Sequence, residues 1–595
     1  MDSDSPEKLR SHMTRERRPW RFAALEEVMR TFRPSERLLL YTLTALLAVS
    51  ALSLVIGLNA SISVVVPSPA GSISEGVVGP PRFINPVLAI SQADEDLAQL
   101  VYAGLTRALP DGTIVPDMAD RFEISDDGTV YTFTLKEGLT FHDGRPLTAE
   151  DVMFTIQSVQ NPALKSPRRV DWEGVSVTSE NTNTVVFKLQ RAYAPFLENT
   201  SLGIIPRHLW GSIPAEEFPF ATLNTHPVGS GPYRILTGQT DSTGAVTSYV
   251  LAPRTQRGSE SAFISKITFR FYANQDALVN AFNAGEIDSI AGIAPSTLEL
   301  LNLHNSTLMR VPLPRVFGVF FNQGHAPTLA DPAVRAALEA AIDKRAVIDS
   351  VLHGYGAMLD GPLPPSIVDN ERPTPVSGEN ADEGSAAAGE FAQRARDILS
   401  ENGWTFDEKA RIWQKKKETL SFVLATGDAP ELSATAQLLI DYWRALGIEV
   451  SLHVYPLSEL NTNVIRPRNY DAILFGEVVG RTPDLFAFWH SSQRNDPGLN
   501  LSMYANSRAD NTLAAARSTT DRKEREKLYA SFAETIKKDR PAIFLYAPEF
   551  IYVVPKKLQG VELGILTLPS ERFLNVREWY TDTERVWSFF SGAYK

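Results

Sequence analysis

Residues Leu38–Leu58 read LLLYTLTALLAVSALSLVIGL, a run of 21 residues without a charge, and no charged residue follows until Glu75. A helix over this run is about 31 Å long, enough to cross the hydrocarbon core of a bilayer. Arg30, Arg33 and Arg37 stand just before it, with Arg15, Arg17, Arg18 and Arg21 further upstream. The positive-inside rule then places residues 1–37 in the cytoplasm and everything after residue 58 outside. A cleaved signal peptide is the competing reading, and Ala60, Ser61 and Ser63 are small enough to support cleavage. Its apolar region normally runs only about 7–15 residues, however. We therefore expect an uncleaved, single-pass anchor.

The chain has 595 residues, too many for one core, so several lobes are expected. Cysteine is absent, which excludes disulfides, thiolate catalysis, thiolate metal sites and lipid attachment at an N-terminal cysteine. Residues 1–37 carry nine Lys/Arg against seven Asp/Glu, a net of +2; subtracted from the total of −12 this leaves −14 on the remainder. So acidic an exterior argues against nucleic acid and against an anionic membrane surface as ligand. It is compatible with cationic or peptide ligands, and equally with solubility alone.

Residues 59–75, rich in Ser, Ala, Val and Pro, read as a tether. Beyond it strands and helices alternate. Strands are predicted at Thr129–Leu135, at Asn183–Leu189 and from Ser421 after the charged turn Lys415–Glu418. Asp331-Pro332 is a cap followed by proline at the first helical position, and Ser433–Leu446 is a helix stopped by Gly447. Asp521–Lys538 presents Leu528, Tyr529, Phe532 and Ile536 on one side. The alternation predicts α/β lobes with mixed sheets. Residues 367–390, with Pro, Gly, acids and an Ala triplet, read as a surface loop. No internal repeat and no second membrane-length apolar run is visible.

Residues 141–157 contain a turn at Asp143-Gly144 and then a helix opened by Thr148, with Asp151 three positions on as in a capping box. The Phe141-His142-Asp143-Gly144 block resembles a signature of the family 5 extracellular solute-binding proteins, the peptide-binding receptors of bacterial ABC importers. Further segments are similar to the same family in the right order: Phe83-Ile84-Asn85-Pro86, Leu100–Leu105, Pro116–Ala119, Pro227–Tyr233, Gly285–Asp288, Phe320-Phe321-Asn322 with Val334–Leu338 and Ala341–Asp343, Ala395–Trp404, Tyr470–Leu474, Trp489–Gln493 and Pro541–Tyr546.

The resemblance implies a two-lobed periplasmic-binding-protein type II fold with mixed sheets and an extra subdomain, here preceded by one transmembrane helix. It divides the chain into 76–114, 226–322 and 546–595 for lobe I, 115–225 for the extra subdomain and 323–545 for lobe II. A monomeric receptor is implied, enclosing an oligopeptide and delivering it to a permease pair driven by ATPases. A sensory or adhesive protein on the same fold, or a receptor for a sugar or metal chelate, are the alternatives. One departure stands out. Peptide-binding members carry Gly-Trp and then an aspartate that pairs with the peptide amine, whereas this chain reads Gly476-Glu477-Val478-Val479-Gly480-Arg481-Thr482-Pro483-Asp484. Glu477 offers an anion at another position, and Arg481 a partner for a carboxylate.

Candidate ligand residues are therefore Glu477, Arg481, Asp484 and Trp489 in this segment, Phe321 and Asn322 at a lobe crossing, Phe83 and Asn85 on the first lobe, and Tyr546 at the last crossing. Each has an alternative role: Arg481 and Asp484 as a loop brace, Phe321 and Asn322 as hinge packing, Tyr546 as core. His142 belongs to a turn motif, which favours a structural role. No HxxxH, H-E-x-x-H or G-x-S-x-G spacing and no phosphate or dinucleotide loop occurs. A hydrolase, a resident metal and a cofactor are thus unsupported, and ATP hydrolysis would belong to partners.

Overall fold

The computed structural model describes residues 31–254, 262–368, 384–519 and 521–589. Arg15, Arg17, Arg18, Arg21 and Arg30, and most of the 367–390 segment, lie outside these residues. Two compact units are present, one made of Met1–Ser68 with Thr583–Lys595 and the other of Pro69–Asp582.

In the first unit the helix Pro34–Ile62 spans 29 residues, is long and apolar enough to cross a membrane, and buries none of its side chains. Proline at its first position and the Glu36 carboxylate accepting from the Arg33 N–H (2.8 Å) start it. The hydroxyls of Thr42 and Thr44 donate to carbonyls one turn back, so neither leaves a polar group bare on an apolar helix. The residues read as a tether are ordered: the helix continues to Ile62, and Ser63–Pro67 pairs antiparallel with Thr583–Trp587. The tether reading is corrected further by Ser72–Val78, which is a strand of the second unit.

The second unit is built on a mixed sheet whose strands run in the order Glu449–Tyr455, Ser421–Gly427, Ala472–Val478, Arg315–Phe321, Ala542–Pro555, Ser289–Ala291, Ser72–Val78, Lys266–Tyr272, Val246–Pro253, Tyr233–Thr240. Ala542–Pro555 is the joint. Its first half pairs with Arg315–Phe321 and its second half with Ser306–Pro312 and Ser289–Ala291. Two lobes result, linked where Ser306–Pro312 passes into Arg315–Phe321 and where the long strand passes through Ala547-Pro548-Glu549. Pro312, Pro314 and Pro548 cannot donate to a ladder, and the Leu313 N–H bonds the Pro548 carbonyl (2.9 Å) to hold the two crossings side by side.

Alternation along the crossing strands sorts the second lobe's side chains onto two faces. Val319, Phe321, Ile543 and Leu545 pack with Leu338, Leu424 and Trp443 on one side. Val316, Phe320, Ala542 and Phe544 pack with Ile473, Trp489 and Phe532 on the other. The first lobe has its own core, containing Ile73, Leu97, Phe269, Tyr552 and Trp579. A separate antiparallel sheet of Ala119–Ile124, Val130–Leu135, Thr184–Lys188 and Ser176–Asn181, with the helix Ala149–Gln160 against it, adds an extra layer there.

Local signals set several boundaries. Asp331 caps Pro332–Ala340 through the Ala333 N–H (2.9 Å), and Asp521 caps Arg522–Asp539 through Lys523 (2.8 Å). Gly447, at φ +87°, follows Pro430–Ala445. The Thr148 box differs from expectation, because the hydroxyl does not accept a helix-start amide. Its backbone N–H (2.8 Å) and its hydroxyl (3.1 Å) both donate to Asp151 Oδ2. The Ala triplet expected in a loop lies in the helix Gly384–Glu401, as alanine's high helix propensity favours.

The first lobe is tied together by a wholly buried charge network. Arg572 donates to both oxygens of Asp96 (2.6 and 2.7 Å), lies 3.7 Å from Glu75 and stacks over the Phe573 ring at 4.1 Å. The Tyr552 hydroxyl donates to Glu75. Strand Ser72–Val78, helix Gln92–Val101, the far half of the long strand and the C-terminal segment all meet here. Removing the cation by Arg572→Ala leaves two buried carboxylates unpaired and should cost about 3–5 kcal/mol in urea unfolding of the full chain in detergent. Burial, opposed by Arg572 and Tyr552, raises the Glu75 carboxyl to about 7. The folded chain therefore holds this proton more tightly than the unfolded one. The contribution is complete below the ordinary glutamate value and lost as pH rises through 7. We expect up to about 3 kcal/mol of stability to disappear over that window, and Glu75→Gln to abolish this share of the slope.

Candidate functional site

The strand Ala472–Val478 runs out towards the first lobe. The chain then turns at Gly480, whose φ of +80° is a conformation glycine adopts freely. Just before the turn the Val479 N–H bonds the Pro314 carbonyl (2.9 Å), which fixes this segment to a crossing. Arg481 follows, only 3% exposed, and reaches into the first lobe. Its Nη1 donates to Glu198 Oε1 (3.0 Å), and its Nη2 donates to Glu571 Oε2 (2.7 Å) and to the Ile565 carbonyl (3.0 Å). The Thr482 N–H takes the second Glu198 oxygen at 3.1 Å. Burial pushes the Glu198 carboxyl up, while Arg481 and the Thr482 bond draw it back.

A second contact lies beside it. Asp484 pairs with Arg517 (3.1 Å), whose guanidinium sits 4.6 Å from the centre of the Phe486 ring and 5.1 Å from that of first-lobe Tyr193. The Ala194 N–H donates to the Arg517 carbonyl (3.1 Å). One Asp484 oxygen has no hydrogen-bond partner among the described residues. Burial raises the Asp484 carboxyl against the pull of Arg517. The two lobes therefore meet through paired charges, with residues 481–484 and 517 on one side and 193–198 and 565–571 on the other.

Glu477 is different. It is 3% exposed, and neither carboxylate oxygen accepts a hydrogen bond among the described residues. Burial alone pushes its carboxyl well above the ordinary range. It lies directly across the ladder from Val316. Trp489 is fully buried in the apolar cluster on that side of the sheet, among Phe320, Phe532 and Phe544, and its indole N–H has no partner among the described residues.

The other candidates sit away from this boundary. Phe321 is wholly buried in the second lobe's core, and Asn322 donates to the Arg468 carbonyl (3.0 Å). Tyr546 stacks on Phe317 (5.3 Å between ring centres) and bonds Thr435 Oγ1 at 3.1 Å. The Phe83 N–H donates to Asp94 Oδ1 (2.7 Å); Asn85 accepts from the Val87 N–H (2.9 Å) and contacts Asn224 (3.4 Å). These contacts all stay within one lobe. His142 joins the Phe141–Gly144 turn to the Gly229–Gly231 segment, its Nε2 3.1 Å from the Gly231 carbonyl, and burial lowers it to about 4, so it is neutral at physiological pH. Among the described residues no group of His, Cys, Asp and Glu could hold a metal ion. Sequence reasoning missed Tyr193, Glu198, Arg517 and Glu571. Glu198 and Glu571 lie 283 and 90 positions from Arg481, and no local pattern marks them.

Two lobes joined by paired crossings, with a charged boundary between them, are the architecture on which two-lobed binding proteins are built. Residues 113–498 match the model of the bacterial extracellular solute-binding proteins, family 5 (middle), and the chain belongs to this family. Its relatives include the oligopeptide-binding protein AppA of Bacillus subtilis, 26% identical over 525 residues (86% of this chain, 92% of the relative), and protein XP55 of Streptomyces lividans, 30% identical over 500 residues (83% and 86%). The solved structure of Bacillus subtilis AppA in complex with a nonapeptide superposes with a TM-score of 0.61 at 25% identity, covering 86% of this chain and 99% of that one. The fold is thus the type II periplasmic-binding-protein fold expected from the sequence, and the protein is a solute-binding receptor.

The chain lacks cysteine, so spin labels can be introduced at Val170→Cys and Leu499→Cys, both exposed and on opposite lobes. Arg481→Ala strands Glu198 and Glu571 without their cation. The pulsed electron-spin distance between the labels should lengthen and broaden in this variant; an unchanged distribution would mean that the Arg481 contact does not hold the lobes together.

Proposed function

We propose that the chain is a membrane-anchored, extracytoplasmic receptor that encloses an oligopeptide between its lobes and presents it to an ABC permease and its ATPases. The observation that carries this reading is the Arg481 contact. It places the 476–484 segment at the boundary that a closing receptor brings together. The names of the relatives support peptide as the solute, and the family consists of receptors, so we assign no covalent chemistry to this chain. The helix Pro34–Ile62, preceded by Arg33, is read as an uncleaved anchor with the N-terminus in the cytoplasm.

Corrected for where the strands pack, we take lobe I as 69–114, 226–312 and 549–582 with 115–225 as its extra subdomain, and lobe II as 315–547, in a monomer. Glu477, Arg481 and Asp484 form the second lobe's ligand wall. Phe321, Asn322, Trp489 and Tyr546 hold the strands and helix behind it, and Phe83 and Asn85 brace the first lobe away from the boundary. Ligand stabilises the closed form by contacts that the open form cannot make.

Native mass spectrometry of the full chain, solubilised from its own membranes and then denatured, tests this. A ladder of co-purified peptides on a chain that retains residues 38–58 is expected. A sugar or metal chelate, or a chain trimmed after residue 58, would contradict the ligand or the anchor respectively.

A further inference from the structure

We propose, on the reading of the chain as a peptide receptor, that Glu477 is the floor of a side-chain pocket that receives a lysine or arginine of the bound peptide. Both of its oxygens are buried without a hydrogen bond among the described residues. Ile473 and Phe475 share its face of the strand by alternation, and Val316 stands directly opposite. The unbonded indole N–H of Trp489 belongs to the same apolar cluster as Val316 and Ile473.

Position gives access. Arg481, four positions on, already touches the first lobe. Four residues of chain span at most about 14 Å, so Glu477 lies close behind the surface that lobe opening uncovers.

The chemistry selects the occupant. A carboxylate among apolar side chains keeps its proton until a cation pairs with it. A lysine or arginine side chain satisfies both demands, with its methylenes along the apolar walls and its charge on the carboxylate. A peptide's α-amine fits less well, because it would draw the adjoining amide and carbonyl groups among apolar walls and leave them unpaired. Binding exchanges one cation for one proton: the Glu477 O–H gives its proton to solvent, and the resulting carboxylate pairs with the ammonium or guanidinium.

Charged groups on neighbouring elements do not pre-empt this role. Arg315 shares the opposite face with Val478. Tyr470 donates to the Leu501 carbonyl, Asp484 pairs with Arg517, His490 bonds Ser492, and Glu549 lies 3.6 Å from Arg310.

The test is calorimetric titration of the full chain in detergent, at pH 7 and in two buffers of different protonation enthalpy. The probes are N-acetylated, amidated penta-alanines carrying lysine or norleucine at each position in turn, together with free-amine penta-alanine. We expect one lysine register to bind about a hundredfold tighter than its norleucine counterpart, with proton release. Glu477→Gln, which keeps the shape of the protonated acid, should reduce that peptide to the norleucine level and abolish the proton release. Equal lysine and norleucine affinities in wild-type protein would overturn the proposal whether or not the variant folds. A Glu477→Gln effect confined to free-amine penta-alanine would overturn it in favour of terminal-amine capture. Binding of the neutral peptides alone would leave the peptide receptor standing without this pocket, whereas binding of no peptide at all would remove both.

Discussion

The strand Ala542–Pro555 belongs to two cores at once, and the arrangement of the molecule follows from that. Ile543 and Leu545 lie in one apolar layer of the second lobe and Phe544 in the other, while Phe550, Tyr552 and Val554 lie in the core of the first lobe. A strand cannot slip in register without turning every side chain to the wrong face, so both lobes are pinned to one line. The change comes at Pro548, opposite the Pro312–Pro314 passage, where the regular pairing of the two crossings gives way and the long strand pairs instead with Gly356–Met358. Rigid lobes with a narrow proline-bearing bridge are the ingredients of hinge motion.

Buried charge is used in three ways, separated by how each charge is paired. Arg572 and its carboxylates sit inside one lobe, fully desolvated and matched, and serve as a structural tie. Arg481 is nearly as buried, but its partners lie across the boundary, so the burial lasts only while the lobes are together. Glu477 has no hydrogen-bond partner among the described residues, and burial raises its carboxyl. The first arrangement stabilises a fold, the second a conformation, and the third favours whatever brings a cation. That gradation links the packing of the chain to its work as a receptor.

Much of the fold was legible in the sequence because its signals are local. Asp331 caps the helix it was expected to cap, and the helix expected from Asp521 begins there, since an Asx cap and the turn it opens lie within a few residues. The 59–75 stretch was misread because its pairing is remote: Ser63–Pro67 meets Thr583–Trp587, and Ser72–Val78 meets Lys266–Tyr272. A Ser- and Val-rich run looks like linker until its partners are known. At the site, the departure at Glu477 and Arg481 was visible as an anomaly in a recognisable segment. Glu198 and Glu571, which give Arg481 its meaning, were not, since nothing in their own neighbourhoods distinguishes them from surface acids.

Hydrogen exchange of the full chain in detergent, with its co-purified solute and after that solute is removed, probes the central claim most directly. If ligand is enclosed where residues 193–198, 476–484 and 565–568 converge, these three stretches should gain protection together when solute is bound, while the amides around Glu75 and Asp96 in the first-lobe core stay unchanged. Solute-dependent protection elsewhere, with these three stretches exchanging equally in both samples, would contradict the placement of the binding site at the lobe boundary.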